Sequence, residues 1–391
     1  MSVAYLTAEE TAAELGVSVA TVYAYVSRGL LRSEPQPGSR RRLYRLDDVR
    51  GLREGRDEPA GDPAPTQAAA RQWPVIDSAI TLLRDEAVFY RGRDVADLAQ
   101  QSSLEAVARL LWDTADPDPF AQPPPALPTA ARPHRDDPIL AILGVLPDAA
   151  QADRRAYIAT PAGMAETGAR VLRLMAGIVT GAPAPTRPIH EHLATAWRTS
   201  HPALIRASLV LSADHELNAS TLAARTVAST GGTLYMAVIA GLAALSGPRH
   251  GGMTDRVDAL INRLLDASNP VAALSEHLKR GDDLPGFGHP LYPKGDPRAR
   301  ILMDLIDRAM PGDLERKRIR TLANAAMDLA DRAPTIDFAL AALARVLKLP
   351  RRAPLTLFAL GRSTGWVAHA MEQAATQTLI RPRARYVGRL P

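Results

Sequence analysis

The chain has 391 residues, of which 46% are hydrophobic, and it carries a formal net charge of +5. This length predicts about two or three domains with a sizeable core, and the absence of cysteine excludes disulfides, thiolate metal sites and cysteine nucleophiles. No apolar run approaches the roughly 20 residues that cross a bilayer. The opening sequence, MSVAYLTAEE, is acidic where a secretory signal is basic, so we expect a cytoplasmic protein.

Residues 1–55 have the pattern of a helix-turn-helix module. Thr7 and Glu10 predict a capping box before a first short helix, and Gly16 ends that helix. Ser18 then caps a second helix, because apolar residues follow it at helical spacing. These apolar residues are Val19, Val22 and Val26.

Residues 33–45 form a turn-rich loop that ends in a basic strand. Together with the two helices, the loop resembles the winged helix of MerR/excisionase-type DNA-binding domains, in which the second helix enters the major groove and the wing contacts phosphates. This resemblance implies a set of DNA-contacting candidates: Tyr23, Arg40, Arg41, Arg42 and Arg45. The second helix has no basic residue between Ser18 and Ser27, which is poor equipment for base recognition. A protein-interaction role for this module therefore stays open.

A linker rich in Pro and Ala follows at residues 56–72, and a body that is mostly helical occupies residues 73–391. A second Pro-rich stretch, residues 115–138, predicts a long surface loop within the body. One amphipathic helix is predicted from a shared apolar face: Leu104, Val107, Ala108 and Leu111. Similar patterns predict further helices at residues 165–177, 219–245, 257–265, 300–309 and 336–347.

Four segments place polar residues in apolar or Gly-rich surroundings. They are DHELNAS at 214–220, SGPRHGG at 246–252, PGFGHPLYPKGDPR at 285–298 and TIDF at 335–338. Each has a structural explanation on its own. His215 could begin the long helix, His250 could occupy a turn, His289 could lie in a rigid connector, and Asp337 could stabilise a helix N-terminus.

Taken together and in this order, the four segments closely resemble the citrate synthase family. Three further stretches match the family pattern: YRGRDVADLA at 90–99, STGG at 229–232 and IRPRARYVG at 380–388. The resemblance covers about residues 73–391 and implies a mainly α fold with a large and a small helical domain. The small domain, at about residues 253–347, would be mobile and would close over the substrate.

The resemblance implies a condensation of acetyl-CoA with oxaloacetate and water that gives citrate and CoA. Asp337 would remove a proton from the thioester methyl group, and His250 would donate a hydrogen bond to the developing enolate oxygen. His289 would polarise the oxaloacetate ketone. No cofactor and no metal are implied, because acetyl-CoA is a substrate.

Oxaloacetate carries two carboxylates, which suit the planar fork of arginine. The family pattern points to Arg298, Arg362 and Arg381 as its ligands, with His215 as a further contact. Arg381 would reach the site of a neighbouring subunit, which implies a homodimer. The chain departs from the usual Gly-His-Arg-Val-Tyr at Pro290, so the CoA contacts near His289 are not fixed by the resemblance.

Two alternatives remain open from the sequence. A 2-methylcitrate synthase would use propionyl-CoA, and one methylene in a pocket changes binding by only about 1–3 kcal/mol. A transcription regulator could instead use the body as a metabolite sensor. The joint presence of Asp337, His250 and His289 favours catalysis, since a sensor needs only the groups that bind the ligand.

Overall fold

The computed structural model describes residues 5–27, 31, 33–35, 42–46, 49, 76–114, 116–126, 137–384 and 386–388. The predicted linker, residues 56–72, and the candidate DNA contacts Arg40 and Arg41 lie outside these residues. The chain divides into two compact units, residues 1–73 and 74–391. No helix in the described ranges is both long and apolar enough to cross a membrane.

The first unit combines two helices with a small antiparallel sheet. Its elements in chain order are β1 Tyr5–Leu6, α1 Ala8–Leu15, α2 Val19–Ser27, β2 Ser33–Pro35 and β3 Arg42–Arg45. The strand order is β1-β3-β2, with Tyr5 opposite Arg45 and Ser33 opposite Tyr44. This arrangement confirms the predicted helix-turn-helix with a wing strand.

The capping chemistry explains where the first helix begins and ends. The Thr7 side chain accepts a hydrogen bond from the Glu10 backbone, and the Glu10 carboxylate accepts one from the Thr7 N–H at 2.8 Å. Gly16 ends α1 in the left-handed region, with φ of 63°. Val22 of α2 is fully buried beside Leu15, which confirms the apolar face that the sequence predicts.

The second unit is mainly helical, as predicted, with one three-stranded sheet among its described residues. The sheet has the order β4-β5-β6 and consists of Thr81–Arg84, Ala87–Tyr90 and Arg93–Asp94. The first helices are α3 Val95–Gln101, α4 Leu104–Leu111, α5 Pro138–Leu143, α6 Leu146–Ala152, α7 Pro161–Thr180, α8 Ile189–Ala196 and α9 Pro202–Leu211. The remaining helices are α10 Ala219–Ser229, α11 Leu234–Leu245, α12 Met253–Asp266, α13 Pro270–Lys279, α14 Pro297–Ala309, α15 Leu314–Ala330, α16 Ile336–Val346 and α17 Ala353–Thr376.

Most helix predictions are confirmed, but the long helix at residues 219–245 is wrong. The chain breaks between α10 and α11 because Gly231 adopts a φ of 80° and Thr233 caps the next helix. His215 does not begin α10 either, since Asn218 is the N-cap of that helix. The separate division of the body into a large domain and a mobile domain of residues 253–347 stays a prediction.

Helix α17 runs through the core of the second unit. It is buried along most of its length and packs against α7, α9, α10 and α11. Trp366 is fully buried and lies against Gly241 of α11. A Cβ atom at Gly241 would approach the indole ring of Trp366 to 2.5 Å, so α11 can come this close to α17 only with glycine here.

We predict that Gly241→Ala destabilises the protein by about 1–3 kcal/mol, because the added methyl group forces a displacement in a packed core. Thermal unfolding followed by circular dichroism would show a lower Tm. Gly312→Ala is the matched control, since a Cβ atom there meets nothing within 4 Å. Equal Tm values for the two variants would contradict this account of the α11–α17 contact.

Candidate active site

One cavity of about 430 Å³ collects most of the residues that the sequence singles out. It is lined by the three predicted catalytic residues and by three of the four predicted substrate ligands: His215, His250, His289, Arg298, Asp337 and Arg362. They come from the turn before α10, the turn before α12, the loop that leads into α14, and helices α14, α16 and α17. Long-range folding therefore brings the four sequence segments and helix α17 to one place.

His215 lies in a tight turn ahead of α10. The next residue, Glu216, adopts a left-handed conformation with φ of 56°. The Nε2 atom of His215 lies 2.6 Å from the hydroxyl oxygen of Tyr292. Burial, together with the positive charges of Arg298 and Arg362, holds the pKa of His215 well below its usual range. The imidazole is therefore neutral at physiological pH.

His250 follows Gly-Pro-Arg in the turn before α12 and is held by Ser220 of α10. Its Nε2 atom lies 2.7 Å from the Ser220 hydroxyl, which also accepts a hydrogen bond from the indole N–H of Trp366 at 3.1 Å. The imidazole packs edge-on against Phe358, with ring centroids 6.0 Å apart. Burial, with a contribution from Arg362, lowers the pKa of His250 to about 4, so its ring is also neutral.

His289 lies in a loop whose path depends on two glycines, Gly286 and Gly288, with φ values of 85° and 73°. Its Nδ1 atom accepts a hydrogen bond from the Leu291 backbone N–H at 3.2 Å. Burial and the charge of Arg298 lower the pKa of His289, so the ring is neutral. With Nδ1 accepting, the single ring proton resides on Nε2, which is then a hydrogen-bond donor.

Asp337 is the second residue of α16, as the sequence predicts. Burial raises the pKa of its carboxyl group to about 6, against the opposing charge of Arg298 and with a smaller contribution from Asp296. A carboxylate with this pKa is ionised at neutral pH and is more basic than an exposed one. Such a group is suited to act as a general base.

Arg298 is held by Asp296 through two parallel hydrogen bonds. The Asp296 carboxylate accepts from Nε of Arg298 at 3.0 Å and from Nη2 at 2.8 Å. Burial alone would lower the pKa of Arg298, but the adjacent carboxylate outweighs it and raises the pKa further above its usual range. Asp296 also accepts the backbone N–H of Ile336 at 3.0 Å, directly before Asp337.

Arg362 is a buried cation of α17 whose hydrogen-bonding capacity is only partly used. Its Nε atom donates to the Ser212 carbonyl at 3.0 Å, and its guanidinium carbon lies 4.9 Å from the centre of the Phe358 ring. Nη2 is buried and has no hydrogen-bond partner among the described residues. An unpaired guanidinium N–H at the wall of a cavity favours an anionic ligand there.

The structure does not bring Arg381 into this cavity. It lies exposed in the segment after α17 and is absent from the residues that line the cavity in the described chain. In the first unit, Tyr23 of α2 is 55% exposed and Arg42 of β3 is exposed, whereas Arg45 is half-buried.

Three residues at the site lie within the four sequence segments, but no role is predicted for them from the sequence. They are Ser220, Tyr292 and Asp296, and their contacts with His250, His215 and Ile336 join segments that are distant in the sequence. Phe358 carried no signal in the sequence. Three exposed arginines also line the cavity: Arg249, Arg256 and Arg332.

Comparison with known proteins gives two family matches. A model described as "Citrate synthase, C-terminal domain" matches residues 140–383, and one described as "Helix-turn-helix domain" matches residues 5–57. The citrate synthase of Mycolicibacterium smegmatis is 32% identical over 76% of this chain and 88% of its own length. The 2-methylcitrate synthase of Mycobacterium tuberculosis is 30% identical over 76% of this chain and 84% of its own length.

The fold is also similar to solved structures. The citrate synthase of Thermoplasma acidophilum, solved as a ternary complex with carboxymethyl coenzyme A and oxaloacetate, has a TM-score of 0.68 at 22% identity. The similarity covers 84% of this chain and 97% of that one. Because the family match spans more than half of the sequence, the chain belongs to the citrate synthase family of condensing enzymes and carries a helix-turn-helix domain at its N-terminus.

Proposed function

We propose that this protein condenses acetyl-CoA with oxaloacetate and water to give citrate and CoA. The observation that carries the proposal is the composition of the cavity of about 430 Å³. It combines the raised-pKa carboxyl group of Asp337, the neutral imidazoles of His250 and His289, and the buried guanidinium groups of Arg298 and Arg362. The 2-methylcitrate synthase reaction, which uses propionyl-CoA, is the second candidate, because relatives of both names have similar identity to this chain.

Oxaloacetate would bind at the buried end of the cavity. Its two carboxylates are matched by Arg298 and by the unpaired Nη2 of Arg362. The Nε2–H of His289 is positioned to donate to the ketone oxygen, which makes the ketone carbon more electrophilic. His215 would be a further contact for the same substrate.

The carbon–carbon bond would form in two steps. Asp337 takes a proton from the thioester methyl group, and the resulting enolate attacks the ketone carbon, whose oxygen receives a proton from His289. Water then hydrolyses the thioester and releases CoA. The sequence is redox-neutral, because the new C–C bond replaces a methyl C–H bond and the ketone becomes an alcohol. Asp337 releases its proton to solvent, and His289 regains from solvent the proton that it gave to the alcohol oxygen.

His250 would stabilise the enolate oxygen, and Ser220 determines which of its nitrogens can do so. The Ser220 hydroxyl donates its one hydrogen to Oδ1 of Asn218 at 2.7 Å, and its oxygen lies 2.7 Å from Nε2 of His250. For His250 to donate through Nδ1, this hydrogen would have to turn from Asn218 to Nε2 when the substrates bind. When the hydroxyl donates to His250, the imidazole proton resides on Nδ1. That nitrogen is then free to donate to the enolate oxygen.

Two further features support the proposal. Arg249, Arg256 and Arg332 line the exposed part of the cavity, where their positive charges suit the phosphates of CoA. The segment after α17 carries exposed apolar side chains on both sides of Arg381 in the sequence, with Leu379 59% and Val387 83% exposed. An apolar exposed segment of this kind suits a second copy of the chain, and we propose a homodimer in which Arg381 completes the neighbouring site.

We predict that Asp337→Asn lowers kcat by about 10²–10⁴-fold, because the amide cannot accept the methyl proton. The measurement is oxaloacetate-dependent release of free CoA thiol from acetyl-CoA and from propionyl-CoA, and the chain adds no thiol background since it has no cysteine. Asp331→Asn, at the exposed end of α15, is the matched control.

The ratio of the two wild-type rates would identify the acyl donor. Full activity of Asp337→Asn would exclude Asp337 as the base. A folded protein that binds oxaloacetate but releases no CoA from either thioester would contradict the proposed reaction.

We predict that kcat/KM for the acyl-CoA falls about tenfold per pH unit below pH 6. Asp337 acts only when it is deprotonated, and its pKa of about 6 makes the protonated form dominant in this range. His250, with a pKa of about 4, stays neutral through most of the same range and adds no separate transition near pH 6. A pH–rate profile from pH 4.5 to 8 tests this, and a profile that stays flat between pH 7 and pH 5 would show that Asp337 keeps an ordinary pKa.

For the helix-turn-helix domain we propose binding to duplex DNA through the wing strand, which carries Arg42 and Arg45, together with the exposed Tyr23 of α2. Replacing both arginines with glutamine should weaken retardation of a random-sequence duplex and reduce the salt slope by about 1 per lost phosphate contact. Arg300→Gln with Arg308→Gln, exposed on α14, removes the same charge elsewhere. Equal binding by the two double variants would contradict a role for the wing.

A further inference from the structure

Behind the cavity wall, three fully buried ionisable side chains contact one another in series. The proposed reaction uses none of them. Arg225 of α10 contacts His369 of α17, and His369 contacts Asp214, the residue before His215. The Nη1 atom of Arg225 lies 3.0 Å from Nδ1 of His369, and Nε2 of His369 lies 3.4 Å from the Asp214 carboxylate. Burial of three such groups is costly unless each finds a partner.

The contacts determine the proton position on His369. A guanidinium group only donates hydrogen bonds, so Nδ1 of His369 must accept from Arg225. The ring is then neutral with its proton on Nε2, which points towards Asp214. His369 is therefore the element that relays the fixed position of Arg225 to the Asp214 carboxylate.

Asp214 is held through one oxygen of its carboxylate and through its backbone, whereas Oδ1 has no hydrogen-bond partner among the described residues. Its Oδ2 atom also accepts the hydroxyl of Thr81 at 2.6 Å and the backbone N–H of Glu216 at 3.2 Å. Its Oδ1 atom lies where a Cβ at Gly365 would approach it to 2.3 Å, so only glycine leaves room for the carboxylate. The Tyr90 hydroxyl accepts the Asp214 backbone N–H at 3.0 Å.

This confinement bears directly on His215. The bond between Asp214 and Glu216 spans the turn that presents the imidazole, and Glu216 adopts a left-handed φ of 56° that a non-glycine residue holds only under constraint. No helix supports this turn, because α10 begins only at Ala219. The Asp214 side chain is thus the tether that fixes the direction of His215.

Arg225 also connects the three buried side chains to the segment that follows α17. Nε of Arg225 donates to Oε1 of Gln373 at 3.1 Å, and Nε2 of Gln373 donates to the carbonyl of Thr378 at 2.9 Å. Thr378 lies three residues before Arg381. The same guanidinium group therefore fastens both the turn of His215 and the start of the segment that carries Arg381.

We infer that Arg225, His369 and Asp214 form a positioning relay that holds His215 in the direction needed to bind oxaloacetate. This inference rests on the proposed function, since it assumes that His215 contacts that substrate. None of the three residues lines the cavity, so each acts through His215 and not on the substrate itself. A relay of this kind governs oxaloacetate binding and leaves acyl-CoA binding unchanged.

The experiment compares two substitutions of His369 that differ in whether they keep the relay. Glutamine carries both an acceptor and a donor and can bridge Arg225 and Asp214, whereas leucine can do neither. We expect His369→Leu to raise KM for oxaloacetate on the order of tenfold or more, as displaced binding groups do. His369→Gln should stay within about threefold of wild type, and KM for the acyl-CoA should be unchanged in both variants.

His192→Leu is the matched control, because His192 is also buried and its Nε2 atom lies 2.9 Å from the Thr180 hydroxyl, neither of which lines the cavity. Oxaloacetate binding by calorimetry and Tm are measured alongside the kinetics. If His369→Leu does not fold, Thr81→Val removes one donor to Asp214 without emptying the core and should raise the same KM.

A lower Tm in His369→Leu with unchanged KM and calorimetric affinity for oxaloacetate would overturn the inference and leave a purely structural role. The same result for Thr81→Val would overturn it where the leucine variant is lost. Failure of the proposed function looks different, since the wild-type protein would then release no CoA in the presence of oxaloacetate. The two failures are therefore distinguishable in one set of assays.

Discussion

The candidate site depends on one buried carboxylate, that of Asp296. It accepts hydrogen bonds from Nε and Nη2 of Arg298 and from the backbone N–H of Ile336, the residue before Asp337. The same side chain caps α14 by accepting the Arg298 N–H. One group therefore fixes the distance between a cation suited to a substrate carboxylate and a base suited to proton abstraction. A buried charge without its partner is strongly unfavourable, so neither member of the Asp296–Arg298 pair can be lost alone without disturbing Asp337 as well.

Burial of the side chains around the cavity has opposite consequences for the carboxyl group and for the imidazoles. Desolvation disfavours the charged form of each group, so it raises the pKa of Asp337 and lowers the pKa of His250 and His289. At neutral pH the outcome is one carboxylate base and two neutral hydrogen-bond donors. These are the protonation states that removal of a carbon-bound proton requires, since a cationic imidazole beside Arg298 would be unstable and a more acidic carboxyl group would be a weaker base.

Short-range sequence patterns correctly predict the helix starts and apolar faces that depend only on neighbouring residues. The capping box of Thr7 and Glu10, the apolar face of α4 and the start of α16 before Asp337 all follow from short-range rules. The break between α10 and α11 is also signalled locally, by Gly231-Gly232 and the N-cap residue Thr233, and the apolar content on both sides outweighed that signal in the prediction. Contacts such as that of Ser220 with Trp366 join segments far apart in the chain, and a single sequence does not contain them.

In helix α17, the contacts that the sequence does not reveal are made mostly by polar side chains. Five of its side chains, at positions 358, 362, 366, 369 and 373, recur every three or four residues. Phe358 packs against His250 and Arg362, and Trp366 donates to Ser220. His369 contacts Asp214, and Gln373 donates to the C-terminal segment. By hydrophobic pattern alone, Arg362, His369 and Gln373 would predict a solvated face. The structure buries all three instead, and each hydrogen-bonds to a partner on another element. Burying such groups costs free energy that an apolar stripe would not. Their place in the core is therefore accounted for by the groups they position rather than by stability.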